Sequence, residues 1–348
     1  MVFGGCDCFN NWICVHLRRK SMEEIKCFMC QEKITDSNRS DEHIILRSFG
    51  GRLSSKSLLC KKCNSDFGNG VDGVLYKQIP LPTLLGIELQ KGEAEDVLLS
   101  KKDGAKFFVS KKLKPTQQHP TVIKTDKGIK YYARTEKEAR KKIREFYPDK
   151  NVEDVLKNLK WIDTHIEEPL FHEYDLIQQD AYFSICKTAV SYFLHCGGDI
   201  SQVEYARYFL SGKASVNNIV KYYYRDSLDA HLSKDEISHT IYLRADPESN
   251  LCYCYLELFS VHCFLIVLNR NYVGKKIEKV YSYDLINCNE IEKDLSINLS
   301  REEINSSKFP GDEQTEKGYF GRLKRVYDIK GIKMEVRKRK QKLVKEVQ

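Results

Sequence analysis

The sequence predicts an α+β protein in two parts: a small cysteine-paired module, then a larger α+β domain. Three observations carry that expectation. Two C-x-x-C pairs, Cys27-Phe-Met-Cys30 and Cys60-Lys-Lys-Cys63, stand near the amino terminus. Residues 178–196 place apolar side chains at helical spacing and end on Gly197-Gly198, a glycine stop. Residues 97–134 and 240–283 hold short apolar runs rich in Val, Ile, Tyr and Phe, separated by turn residues, which reads as strands. The 348 residues suffice for two domains, and a 41% hydrophobic content supports a real core. The longest apolar stretch, Leu256–Leu268, is broken by Glu257 and His262, so a membrane-spanning helix is not expected.

The formal charge of +8 is unevenly placed. Residues 1–100 are neutral, 101–150 carry +10, 151–316 carry −11 and 317–348 carry +9. Two separated basic blocks form an electrostatic footprint for a polyanion such as nucleic acid, or else a solvated surface and a ragged tail. The acidic half is not expected to be the main nucleic-acid face. It is left to recognise a protein, a small ligand or a special DNA feature.

The 13 cysteines are an odd number and do not read as a disulfide framework. Free thiols in such numbers point to a reducing, cytoplasmic setting. Residues 1–21 are too broken for a signal-peptide core, and their Arg-Arg-Lys follows the apolar residues. They are expected to be a non-structural extension ahead of Met22. Binding of a metal by Cys6, Cys8, Cys14 and His16 is the alternative.

The module is expected over 22–76, the larger domain over 77–316 and a basic tail or helix over 317–348. Within the large domain, 97–134 reads as a meander. Thr135 with Glu138 three residues on is a capping box for a helix ending near Pro148. That helix carries Arg140, Lys141, Lys142 and Arg144, the densest basic cluster and the expected DNA-backbone contact. Tyr131 and Tyr132 read as half-buried strand residues, with base stacking as the alternative. Val203–Leu210 and Val216–Tyr224 read as shorter helices. Thr240–Leu243, Leu251–Phe259, Val261–Leu268 and Val280–Tyr283 read as antiparallel strands. His195, His239 and His262 read as structural histidines. Leu75–Leu89, with Pro80 and Pro82, reads as a crossing segment, and Leu323–Val347 as a basic helix.

The cysteine spacing suits one tetrahedral zinc, because a short turn lets both sulfurs of each pair reach an ion about 2.3 Å away. The segment between the pairs has too little apolar repeat to fold alone, so zinc would supply folding energy. Between the pairs stands Asp41-Glu42-His43-Ile44-Ile45, followed by Phe49-Gly50-Gly51. Asn64 directly follows Cys63.

This order resembles the HNH endonuclease family in its zinc-stabilised form, over residues 25–76. The resemblance implies a ββα-metal hairpin and helix. It assigns Cys27, Cys30, Cys60 and Cys63 to structural zinc and His43 to the general base. Glu42 and Asn64 are assigned to a catalytic Mg2+ or Mn2+. Asp72, or else Asp66, would be a further ligand of that ion. It implies hydrolysis of DNA phosphodiester bonds, as in bacterial defence or restriction enzymes. One site cuts one strand, so a double-strand break would need a homodimer or two nicks. Two features depart from the family: Leu46 where many members have Pro, and Ser54, Ser55 and Ser57 where many have an Asn that pins the histidine loop. The other reading is a non-catalytic zinc module that binds nucleic acid or protein. In a third, residues 151–316 sense an activating ligand or partner.

Overall fold

The computed structural model describes residues 24–87, 96–100, 106–110, 115–117, 121–125, 128–133, 135–159, 177–213, 219–306 and 313–331. The amino-terminal extension with Cys6, Cys8, Cys14 and His16 lies outside them, as do residues 332–348 of the expected basic helix.

The module opens with a turn at Cys27–Cys30 and a short hairpin of β1 (Glu42–His43) and β2 (Ser54–Ser55). Their antiparallel register sets Glu42 opposite Ser55 and His43 opposite Ser54. The connection needs its two glycines. Gly50 adopts φ +91°, and a Cβ on Gly51 would stand 1.9 Å from the Ile45 carbonyl oxygen. Helix α1 (Lys61–Asn69) follows, with Cys60 as N-cap; its sulfur accepts from the Cys63 N–H at 3.5 Å. The chain bends at Gly70 (φ −101°, ψ −106°) into α2 (Val71–Gln78), and α3 (Leu81–Leu84) follows. The expected crossing segment therefore starts as helix. Pro82 is tolerated because the first turn of α3 asks little of its backbone N–H.

A peripheral layer comes next. Strands β3 (Val97–Ser100), β4 (Lys106–Val109) and β5 (Pro115–Gln117) form one small antiparallel sheet; β6 (Thr121–Thr125) and β7 (Gly128–Tyr132) form a hairpin. The side chains of Tyr131 and Tyr132 lie outside what is described. The expected capping box starts α4 (Glu136–Phe146), where Thr135 Oγ1 accepts from the Glu138 N–H at 3.2 Å. Asn151 caps α5 (Val152–Lys157) in the same way.

The large core is a six-stranded antiparallel sheet. Its strands are β8 (Val220–Tyr222), β9 (Ser238–Asp246), β10 (Leu251–Leu258), β11 (His262–Asn269), β12 (Ile277–Asp284) and β13 (Asn289–Glu290), in the spatial order β13-β12-β9-β10-β11-β8. The four strands expected within 240–283 are all present, longer than expected at most ends. Val220–Tyr222 is a correction: the segment was expected to be helical, but these residues pair with Phe264–Ile266 of β11 as an edge strand. The aromatic run Tyr222-Tyr223-Tyr224 suits a buried strand better than a helix.

Both faces of the sheet are covered, so β10 is buried along its whole length. Strand alternation separates the two packing surfaces. Cys254 faces α6 (Tyr182–His195), its sulfur 3.8 Å from the Ala189 carbonyl. Tyr253 and Glu257 face the other way. Tyr253 donates to the Ile297 carbonyl at 2.7 Å, and Glu257 pairs with Arg322 of α9 (Glu313–Ile329). Two short helices, α7 (Glu204–Leu210) and α8 (Arg301–Ser306), complete the cover. The Glu257 that interrupts the apolar run is thus a fully buried anion. Burial opposes its charge, but Arg322 and His231 hold its carboxyl well below the usual range.

Module and sheet share one continuous core. Phe49 is fully buried and meets Phe259 edge-on at 5.2 Å. Phe259 and Ser260 turn between β10 and β11 with φ +57° and +55°, a left-handed geometry that costs a bulky residue strain. His239 spans the joint: its Nδ1 accepts from the Phe259 N–H at 3.2 Å, and its Nε2–H donates to the Phe49 carbonyl at 2.9 Å. It is a structural histidine, as expected. Burial lowers its pKa to about 4 and that of His262 to about 3.

These two histidines make stability pH-dependent. Below the ordinary value of 6.5 the unfolded chain takes up protons that the folded protein refuses, so stability falls as pH falls. The loss accumulates from pH 6.5 down to about 4 for His239 and about 3 for His262. Each contributes a slope of up to about 1.4 kcal/mol per pH unit. Denaturant unfolding at stepped pH should show that slope, and His262→Phe should flatten it.

Candidate active site

The four cysteines of the two pairs converge. Their sulfurs all lie within 4.8 Å of one another, and Cys30 Sγ stands 3.8 Å from Cys60 Sγ. Four thiolates bonded to zinc at about 2.3 Å would be separated by about 3.8 Å, the edge of that tetrahedron. The donor set therefore fits zinc. Without a cation, burial pushes the Cys30 and Cys63 thiols up. At Cys60 burial acts in the same sense, but the Cys63 N–H and the neighbouring sulfurs bring it below its ordinary value. Bound there, zinc ties the Cys27–Cys30 turn to the start of α1.

His43 lies on β1 and is half-buried. The Asp41 carboxylate and backbone beside the ring favour its charged form. Burial lowers its pKa, with Arg47 and Lys187 acting in the same sense, so the ring is neutral at neutral pH. The serines expected to replace an asparagine sit on the paired strand: Ser54 is opposite His43, and the Ser55 and Ser57 hydroxyls are 2.9 Å apart. Asn64 lies in the first turn of α1. Its Nδ2 donates to Ser40 Oγ at 2.6 Å, which orients the amide and leaves its oxygen as an acceptor.

Glu42 and Asp72 lie elsewhere than a solvent-facing metal site requires. Adjacent strand residues point to opposite faces, so His43 outward sends Glu42 inward. Glu42 is 1% exposed. The helix break at Gly70 moves Asp72 off the α1 face it was expected to share with Asn64, and it too is buried. Between the two carboxylates sits Lys187 of α6, its Nζ 2.7 Å from Glu42 Oε1 and 2.7 Å from Asp72 Oδ2. Ser184, one turn earlier on the same face, donates to Asp72 Oδ1 at 2.5 Å. Burial opposes the Lys187 charge, but Glu42 and Asp72 overcome it and hold the ammonium above its ordinary pKa. Burial raises the Glu42 carboxyl against the pull of Lys187. In this arrangement the two acids do not fit a divalent ion, because an ammonium already stands between them and all three side chains are buried, away from the waters that Mg2+ keeps. Asp66 is on α1, before the Gly70 break.

Lys187 was not anticipated from the sequence. The available signal is a single cation in the otherwise apolar run Ile185-Cys186-Lys187-Thr188-Ala189-Val190, on a helix whose flanks are buried. Such a lysine needs an acidic partner.

The basic cluster on α4 is only partly available. Arg140 pairs with Glu136 and Glu153, and Lys142 with Glu145 at 2.6 Å. Lys141 and Arg144 are exposed. Surface pairs of this kind hold little energy, so a phosphate could displace the acids.

Metal analysis of the purified chain should find one zinc per chain, and Cys60→Ser should lose it. Chelation should unfold the 27–80 region, read as a lower and broader thermal transition.

Residues 27–80 match the family model described as HNH endonuclease. Comparison with the curated proteins and with the solved structures returned no match. Residues 27–80 are thus similar to an HNH endonuclease module, with a cysteine cluster that fits zinc, and a sheet-rich domain follows.

Proposed function

We propose that the chain is an endonuclease that hydrolyses DNA phosphodiester bonds, with His43 as general base. The observation that carries this reading is the HNH match over 27–80 together with His43 on β1 and Asn64 at the start of α1. The neutral His43 ring takes the proton of a water, which attacks phosphorus as the 3′ oxygen departs. This step needs one ring nitrogen of His43 free to accept that proton. Asn64, oriented by Ser40, offers an amide oxygen from the start of α1. Lys141 and Arg144 on α4 contact the DNA backbone, joined by the basic residues after 331, which lie outside the described ones. Once Glu42 is released from Lys187, Glu42 and Asn64 would hold the Mg2+ or Mn2+ that the family uses, and that ion would neutralise charge on the scissile phosphate. A reducing, cytoplasmic setting accords with the ten described cysteines, all free thiols. No described helix is long and apolar enough to cross a membrane.

A second reading, a non-catalytic zinc module that binds nucleic acid or protein, is favoured by one observation. Lys187 neutralises the acids that a catalytic ion would use.

Plasmid relaxation separates the two readings. Wild type, or Lys187→Met in which Glu42 is released, should nick supercoiled DNA in Mg2+ or Mn2+, and adding His43→Ala should slow the cutting at least about 100-fold while zinc is retained. Cleavage by His43→Ala at the wild-type rate contradicts the mechanism. Binding without cleavage in either ion supports the second reading. Because a base must be unprotonated, the cleavage rate should rise with pH and level off with an apparent pKa below 6.5.

A further inference from the structure

We propose that Lys187 is a built-in competitor of the divalent ion: its ammonium holds Glu42 and Asp72 in a closed arrangement, and the site opens only when α6 withdraws from α2. The inference rests on the nuclease reading and adds to it how the site is regulated.

Three observations support it. First, the ammonium is equidistant, at 2.7 Å, from carboxylates on two different elements of the module, β1 and α2. That is where a divalent ion using both acids would sit, and two cations cannot share it. Second, the cation comes from outside the module. Lys187 is 115 residues from Asp72, on a helix that packs across the sheet of the large domain. The ion pair therefore joins two parts of the chain and lies outside the module's own connectivity. Third, the edge of the same interface is held by polar contacts. Gln78 at the end of α2 donates to Asp180 at 2.9 Å and accepts from the Gln178 N–H at 2.7 Å, just before α6. Direct hydrogen bonds of this kind exchange readily for water. Ion binding at Glu42 and release of Lys187 are then linked, and each promotes the other. A ligand or partner that shifts α6 would act as the activator.

The test uses full-length, zinc-loaded protein: wild type, Lys187→Met, and Lys187→Met with Glu42→Gln. Manganese binding is followed by calorimetry and by the thermal midpoint with and without Mn2+. Lys187→Met should bind Mn2+ at least about tenfold more tightly than wild type and should melt higher when Mn2+ is added. The double variant should lose both effects. Equal Mn2+ affinity in wild type and Lys187→Met overturns the proposal. Should Lys187→Met fail to fold in Mn2+-free buffer, refolding yield decides: recovery in Mn2+ supports the proposal and no recovery overturns it. These readouts do not involve cleavage. An inactive wild type whose Lys187→Met variant gains Mn2+ binding but never cuts sinks the nuclease reading alone. Cleavage with no difference in Mn2+ binding sinks this inference alone.

Discussion

The ammonium of Lys187 stands between two carboxylates that belong to a different part of the molecule, and the relation of the module to the sheet follows from that contact. A lysine and two acids removed from water need each other: deleting one partner of such a group typically costs about 3–5 kcal/mol, because the remaining charges stay buried. The group is therefore a constraint on docking as well as a stabilising pair. It requires α2 to meet α6 at one register, with Ser184 and Lys187 on the facing side. It also requires β1 to present Glu42 inward, which turns the neighbouring His43 towards the outer face.

The remaining contacts of the joint support the same placement. Phe49 reaches the β10–β11 turn because Gly50 and Gly51 let the chain reverse tightly over the Ile45 carbonyl. His239 then holds the Phe49 carbonyl and the Phe259 N–H with its two ring nitrogens, an arrangement open only to the neutral ring. The cysteine cluster fixes the opposite end of the module, where the hairpin and α1 meet. Metal chemistry thus holds one end and side-chain packing the other. Phe49, Leu75 and Ile79 of the module belong to the same core as the sheet, so packing adds to what zinc supplies.

Local chemistry was legible in the sequence and long-range pairing was not. The two C-x-x-C pairs, the glycine turn, the Thr135 capping box and the β9–β12 strands each announce themselves within a short window. The edge strand at Val220–Tyr222 was misread because a short apolar run with three tyrosines has no decisive period. Glu42 and Asp72 could be assigned to a metal by resemblance, but their actual partner lies more than a hundred residues away. The trace it left is a lone lysine in an apolar helix. Glu257 left a similar trace, a single acid in the longest apolar run, answered by Arg322 from α9. In both cases an isolated charge in an apolar stretch marked a buried ion pair between distant elements.

Anomalous diffraction from crystals of the zinc-loaded protein soaked in Mn2+ tests the account most directly. It predicts a zinc peak among Cys27, Cys30, Cys60 and Cys63, with Lys187 in density between Glu42 and Asp72 and no manganese peak there. A manganese peak bonded to both carboxylates while Lys187 keeps its place would contradict it.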